Sequence, residues 1–526
     1  MYSIDNTTGY STNDDLILTY KKKLNKWSFD GLVGGTIYYF ADQGLKSTTR
    51  NGLISPTFFS LAGSIEAPTV VPFHNSRQIN SLYGRASIGW NDAVFLDVTG
   101  RNDWNSAQPK SSRDYFYPSI GSSVVISELV KFPEVVDMFK VRGSWTIFKK
   151  AFDPYAINSV YTTNTAAWNT LNSATYPGYL LGENLLPSSQ RTWEIGAVGY
   201  LFKKRLHFDV AYFNKYYYNR QTDLKEKGNT AYLPNSSGFG MAIVNTKETY
   251  ERRGIEITVD GSVIKGRDFE WYATMNWAQQ HRYYVDIDPL YSPDDLWTKK
   301  GERLDTYKAS YWLRDPQGNI IFNNGSPVES DYNKKYGYGE PDFSFGFINS
   351  FRYKNWNLNV NIDGRIGGLM YNYMYDKMWD TGTNPDSDNQ YRYDQVVNGK
   401  NNFVGKGVKV ISGTVTYDKY GQITSDTHQY APNDVEVGYQ DYAQNFRGGD
   451  KGIQNESFVK LRELSLGYSF NQKFVSKLGL KRASFSVTGQ NLWMWTNFKY
   501  SDPDVDTENL NSPSQRMLGF NFKIGF

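Results

Sequence analysis

"WNLNVNIDG" (356–364) decides the fold. Trp356, Leu358, Val360 and Ile362 alternate with Asn357, Asn359, Asn361 and Asp363. Side chains two apart share a face of a strand, so this segment builds one apolar face and one polar, hydrogen-bonding face. The pattern repeats outward in both directions. In "FEWYATMNW" (269–277) Phe269, Trp271, Ala273, Met275 and Trp277 oppose Glu270, Tyr272, Thr274 and Asn276, and in "IEITVD" (255–260) three β-branched residues oppose Glu256, Thr258 and Asp260. The closing "MLGFNFKIGF" (517–526) alternates in the same way and stops on Phe526. These segments approach ten residues or more, longer than the ~5–6 of a typical strand and close to the ~9–11 of a tilted membrane-crossing strand.

Fifteen such strands are expected, near 14–21, 27–41, 78–90, 93–103, 113–127, 137–148, 190–201, 205–219, 251–264, 269–283, 341–352, 356–370, 457–470, 482–497 and 514–526. Tight links (Asn91-Asp92, 202–205, 265–268 and 353–355) alternate with long ones at 42–77, 149–189, 220–250, 284–340, 371–456 and 498–513. Short turns at one end and long loops at the other are the signature of an outer-membrane barrel. The expected fold is therefore all-β, a transmembrane antiparallel β-barrel with short periplasmic turns and long extracellular loops.

Composition agrees. The chain has 526 residues, 41 Tyr, 31 Phe and 14 Trp, and no cysteine. Cysteine catalysis, thiolate metal sites and disulfides are thereby excluded. A net charge of +3 is too small to argue for a nucleic-acid partner. Mean hydropathy is −0.59, which suits strands that are apolar on only one side. Trp27, Trp90, Tyr200, Tyr353, Trp356 and Phe470 flank short turns, where interface girdles belong. One segment breaks the pattern. In "FVKLRELSLGYSF" (458–470) Lys460 and Arg462 share a phase with Leu464, Leu466 and Tyr468. A bulge, or a position outside the bilayer, reconciles the two readings, and the sequence does not choose between them.

An odd number of strands does not close a single-chain bacterial barrel. The opening residues also lack a basic segment followed by an apolar one, the mark of a signal peptide. The expectation is a partial barrel whose front is missing.

"FVKLRELSLGYSFNQKFVSKLGLKRASFSVTGQNLWMWTNFKYSDPDV" (458–505) closely resembles the C-terminal signature of SusC/RagA-type TonB-dependent transporters of Bacteroidetes. "GRNDWNS" (100–106), "YPSIGSSVVISE" (117–128), "FKVRGSWT" (139–146) and "LPSSQRTWEIGAVGYLFKKRLHFDVAYFNK" (186–215) resemble further stretches in order. "SWTIFKKAF" (144–152) departs from the glycine-rich run usual there. The resemblance implies a plugged barrel of about 22 strands, of which residues 1–526 supply about fifteen, with no plug domain or signal peptide. It implies a multi-pass protein of the bacterial outer membrane that imports oligosaccharides or peptides with a SusD-like surface lipoprotein. Energy would come from TonB–ExbB–ExbD through the missing N-terminal part. Phe526 would be the signal read by the barrel-assembly machinery. No enzymatic step and no cofactor are implied.

Chemistry-bearing motifs are few. His74, His207, His281 and His428 fall in no metal-ligand spacing, and His207 reads as interfacial. Asp502, Asp504 and Asp506 in "SDPDVDTEN" (501–509) are a candidate cation site without the glycine of an EF-hand. Among loop aromatics, Trp168, Trp297 and Trp379 are candidates for substrate contact by stacking on sugar rings. The rival readings are a siderophore or cobalamin receptor on the same fold, and a soluble secreted all-β glycan-binding protein or glycosidase. The second predicts polar loops at both ends of the strands, which the sequence does not show.

Overall fold

The computed structural model describes residues 1–526 except 159, 169–170, 176–178, 182–184, 224–240, 446–451 and 506–512. Fifteen strands form one antiparallel sheet: β1 (Ser3–Leu24), β2 (Trp27–Leu53), β3 (Ser64–Trp90), β4 (Val94–Asn105), β5 (Asp114–Val125), β6 (Val136–Lys150), β7 (Ser188–Leu201), β8 (Leu206–Tyr218), β9 (Thr249–Lys265), β10 (Phe269–Asp286), β11 (Phe343–Tyr353), β12 (Trp356–Ile366), β13 (Phe458–Ser469), β14 (Arg482–Thr496) and β15 (Met517–Gly525). Their order in the sheet is their order in the chain. Each expected strand is present. Among the described residues the sheet is open, and β1 and β15 are its unpaired edges.

The expectation of a long link over 42–77 is corrected. β2 and β3 stay paired far past the apolar band, with Asp42 opposite Asn75 and Ser47 opposite Val70, and only 54–63 connects them. Likewise β1 begins at Ser3, eleven residues before the expected start at 14. Where both faces meet water, a ladder needs no alternation, so the pattern that reveals strands is silent there.

Connections 25–26, 91–93, 126–135, 202–205, 266–268, 354–355 and 470–481 lie at one end of the sheet. At the other end lie 54–63, 106–113, 151–187, 219–248, 287–342, 367–457 and 497–516, which include the four longest. Asn25, Asn91 and Asp92 supply left-handed φ values of 53–54° in the tight turns, a conformation these short polar side chains tolerate. The turn at 202–205 is different. Phe202, Lys203 and Lys204 hold φ of 57–59° in succession. Asp137 accepts from the Lys204 N–H at 2.8 Å, and the Arg205 N–H returns to the Leu201 carbonyl at 3.0 Å.

Cross-strand register gives the sheet two unlike faces. Trp271, Phe351, Leu358, Leu466, Val487 and Phe520 form one continuous row over six strands. One residue along, the opposite face reads Tyr272, Ser350, Asn359, Ser465, Thr488 and Gly519. Among the described residues nothing packs over the apolar face: Leu466 is 46% exposed and Phe520 81%. Among the described residues no helix is long and apolar enough to cross a membrane. A cluster packed like a soluble core, Tyr375, Trp379, Tyr439 and Ala443, lies in the connection 367–457.

Candidate functional site

The polar face carries its charges in a few clusters. Near the short turns, His207 Nδ1 and Asp260 Oδ1 are 2.7 Å apart, the Tyr272 hydroxyl donates to the other Asp260 oxygen, and the Tyr200 ring stacks on His207 at 4.7 Å. Farther along, Arg142 lies between Asp209 at 2.9 Å and Glu194 at 3.4 Å.

The densest cluster rests on the segment that broke the sequence pattern. β12 pairs Ile362 with Leu461 and Asn361 with Glu463, and β14 pairs Trp493 with Leu461 and Gln490 with Glu463. Against β12, Arg462 is therefore the extra residue of a β-bulge, one of the two explanations the sequence left open, while β14 sets Asn491 and Leu492 opposite it. The bulge shifts the phase by one. Leu461 joins Ile362 and Trp493 on the apolar face, and Lys460 joins Asp363 on the polar one.

Lys460 is 2% exposed, and its Nζ donates to Asp502 at 2.8 Å, Asp504 at 2.9 Å and Ser514 at 2.8 Å. The Arg462 fork donates twice to Asp363, at 2.8 and 2.6 Å, and once to Asp504 at 2.7 Å. Two strand cations thus pin Asp502, Asp504 and Ser514 to the polar face of the sheet. Burial pushes the carboxyls of Asp502 and Asp504 up. The Lys460 ammonium beside both, with the Arg462 guanidinium at Asp504, reverses this and leaves each below the usual carboxylate range.

Asp502 and Asp504, candidates for a cation, thus already face two cationic side chains. Asp506 lies outside the described residues, among which no group of three or more His, Asp or Glu is placed to hold a metal ion. Beside the cluster a cavity of about 490 Å³ opens on the polar face between Glu256, Asn276, Ser344, Asp363 and Arg365.

The two longest connections fold together above the sheet. Ile321 of 287–342 pairs with Val408 of 367–457, and both belong to one four-stranded sheet. Three short helices, α1 (Tyr373–Asp380), α2 (Gln390–Asn398) and α3 (Tyr439–Asn445), surround the aromatic cluster. Phe403 packs within 4.4 Å of Tyr442 and 5.1 Å of Tyr439, ring centre to ring centre. Asp294 ties the two loops, accepting from the Lys419 ammonium and the Tyr420 hydroxyl, each at 2.8 Å. These bonds hold its carboxyl below the usual range.

Two of the three candidate tryptophans stand in unlike surroundings. Trp379 is 4% exposed and belongs to the cap's core. Trp297 is half-buried, with the Lys308 ammonium 5.8 Å from its ring centre. Trp168 ends the strand Thr162–Trp168, where the structure describes its backbone alone. Phe526 follows β15 and is 80% exposed. Sequence reading took 284–340 and 371–456 as plain loops and missed the cap. Its strands run to five residues at most and its helices to nine, too short for periodicity to register.

A long antiparallel meander, apolar and uncovered on one face, polar on the other and looped at one end, is the architecture of an outer-membrane β-barrel wall. The family model described as "TonB dependent receptor-like, beta-barrel" matches residues 2–364, and this chain belongs to that family of outer-membrane proteins, which are receptors and transporters and not enzymes. It is 21% identical to TonB-dependent receptor P26 of Formosa agariphila, over 98% of this chain and 52% of that protein. To TonB-dependent receptor P3 of the same organism it is 22% identical, over 96% and 50%. Among solved structures it superposes on the RagAB peptide transporter with a TM-score of 0.70 at 14% identity, over 95% of this chain and 54% of that one. For the RagAB peptide importer in its open-open state the TM-score is 0.68, over 100% and 55%. The chain spans about half the length of the curated relatives it matches.

Proposed function

We propose that this chain is the C-terminal portion of the barrel of a TonB-dependent nutrient importer, which takes up oligosaccharides or peptides across the bacterial outer membrane. The observation that carries the reading is the uncovered apolar face, continuous from Trp271 to Phe520. Lipid covers such a face without protein, and the polar face then lines a lumen. Each strand becomes one crossing of the membrane, with the short turns in the periplasm and the cap outside. The two unpaired edges, together with the half-length match to relatives, support completion of the wall by further strands and of the lumen by a plug. The plug segment would receive energy from TonB–ExbB–ExbD.

The lumen suits polar cargo. Glu256, Asn276, Asp363 and Arg365 offer hydrogen-bonding groups around its cavity, and the rings of Trp277, Phe345 and Phe458 line it beside them. The RagAB neighbours, titled a peptide transporter and importer, support the peptide alternative by fold only. A SusD-like lipoprotein over the cap completes this reading, and the half-exposed Trp297 stays a candidate for cargo contact there. The protein in its complete form should migrate faster unboiled than boiled on a gel, and deletion of its gene should abolish growth on one class of oligosaccharide or peptide as sole carbon source. Recovery in the soluble fraction with identical migration would sink the proposal.

A further inference from the structure

We infer that the short-turn end of the wall carries a binding site for one anionic phospholipid. The inference rests on the reading that the apolar face meets lipid. A groove of about 390 Å³ is cut into that face beside the turn 202–205. Its floor is Gly261 and Ala273, small residues flanked by Leu206, Val259, Met275 and Phe347. Gly261 cannot grow: a Cβ there would lie 2.2 Å from the Arg205 carbonyl oxygen. The glycine sets how deep the groove runs, and Phe202, Leu206, Val259, Val263, Met275 and Phe347 give it mostly apolar walls, as an acyl chain requires, with Asp260 and Ser262 the polar residues of its lining.

The mouth of the groove is cationic. Arg205 lines it and donates to the carbonyls of Ser262 and Val263, each at 3.2 Å, which fixes the guanidinium over the bulge at Val263. Lys203 and Lys204 project from the adjoining left-handed turn, and Lys265 and Arg267 stand on the next turn at the same end. Among the described residues none of these five side chains makes a close ion pair, and Lys265 stands opposite Glu270 across the strands. Of the acids at this end, Glu270 holds Arg352, Asp137 accepts from the Lys204 backbone and Asp260 binds His207 and Tyr272, while Asp268 follows Arg267 in its turn. Left-handed φ at three successive non-glycine residues is costly. Here it places Phe202 in the groove lining, with the exposed Lys203 and Lys204 on the same turn. An apolar channel under unpaired cations matches a phospholipid whose head is a phosphodiester without a compensating amine. Phosphatidylglycerol fits, and phosphatidylethanolamine, which brings its own ammonium, fits less well.

The test uses the protein in its complete form, purified in mild detergent and incubated with equimolar phosphatidylglycerol and phosphatidylethanolamine, with retained lipid counted by native mass spectrometry. The wild type should retain at least fivefold more phosphatidylglycerol. K203Q/K204Q/R205Q should bring the two to parity, and A273F, which fills the groove, should reduce both. If the triple variant does not fold, K203Q/K204Q alone should at least halve the preference. Equal retention by the wild type, or a preference unchanged in the charge variants, overturns the inference. Heat-modifiable migration of the same sample separates the outcomes: its loss refutes the barrel, and its persistence without lipid preference refutes the site alone.

Discussion

Lys460 is the residue with most at stake. A buried ammonium between two carboxylates stands only while all three remain, because each alone carries an uncompensated desolvation cost. We expect K460M to destabilise the connection 497–516 by about 3–5 kcal/mol, seen as faster hydrogen exchange over 498–505, while Asp363 still holds Arg462. Unchanged exchange would show that the connection does not depend on this pair. Acid should act at the same place. Asp502 and Asp504 are depressed in the folded protein, so their contribution is complete above the ordinary aspartate value of about 3.9. It is lost as pH falls through their lower folded values. Protection of 498–505 should therefore persist at pH 5 and fade only below about pH 4; loss by pH 5 would contradict this assignment.

At the scale of elements, β13 shows what a sequence discloses. Its odd phase at Lys460 and Arg462 was visible in the letters, but the cause was not. A bulge and a strand end leave the same mark until the pairing is known, and here β12 pairs Asn361 and Ile362 across Arg462 with nothing between them. The apolar rows were legible because lipid-facing and lumen-facing residues must alternate. L466K should cost about 2–4 kcal/mol and impair membrane assembly, whereas S465K, one residue along, should assemble normally. Equal behaviour of the two would invert the faces. The cap was illegible because it is built by contacts between distant loops, such as Ile321 with Val408. Trp379 read there as an exposed ring; it is a core residue. W379A should cost about 3–5 kcal/mol, raising protease sensitivity over 373–445 while heat-modifiable migration survives. A protease-resistant cap would show that the ring is dispensable.

For the whole molecule, the absence of cysteine permits a direct test of orientation. In intact cells a membrane-impermeant maleimide should label V396C, on an exposed helix of the cap. It should label K354C, in a short turn, only after the outer membrane is permeabilised. The reverse pattern would turn the wall upside down.

Strand order equal to chain order has a further effect. Every strand touches only its predecessor and successor, so the natural unit of change is the hairpin. Removing or duplicating two consecutive strands returns the chain to the same side, with all later side chains still pointing the same way. Removing one sends every later loop to the opposite compartment. A wall of this kind can lengthen or shorten by twos without redesign, and a gain or loss of one is forbidden to it.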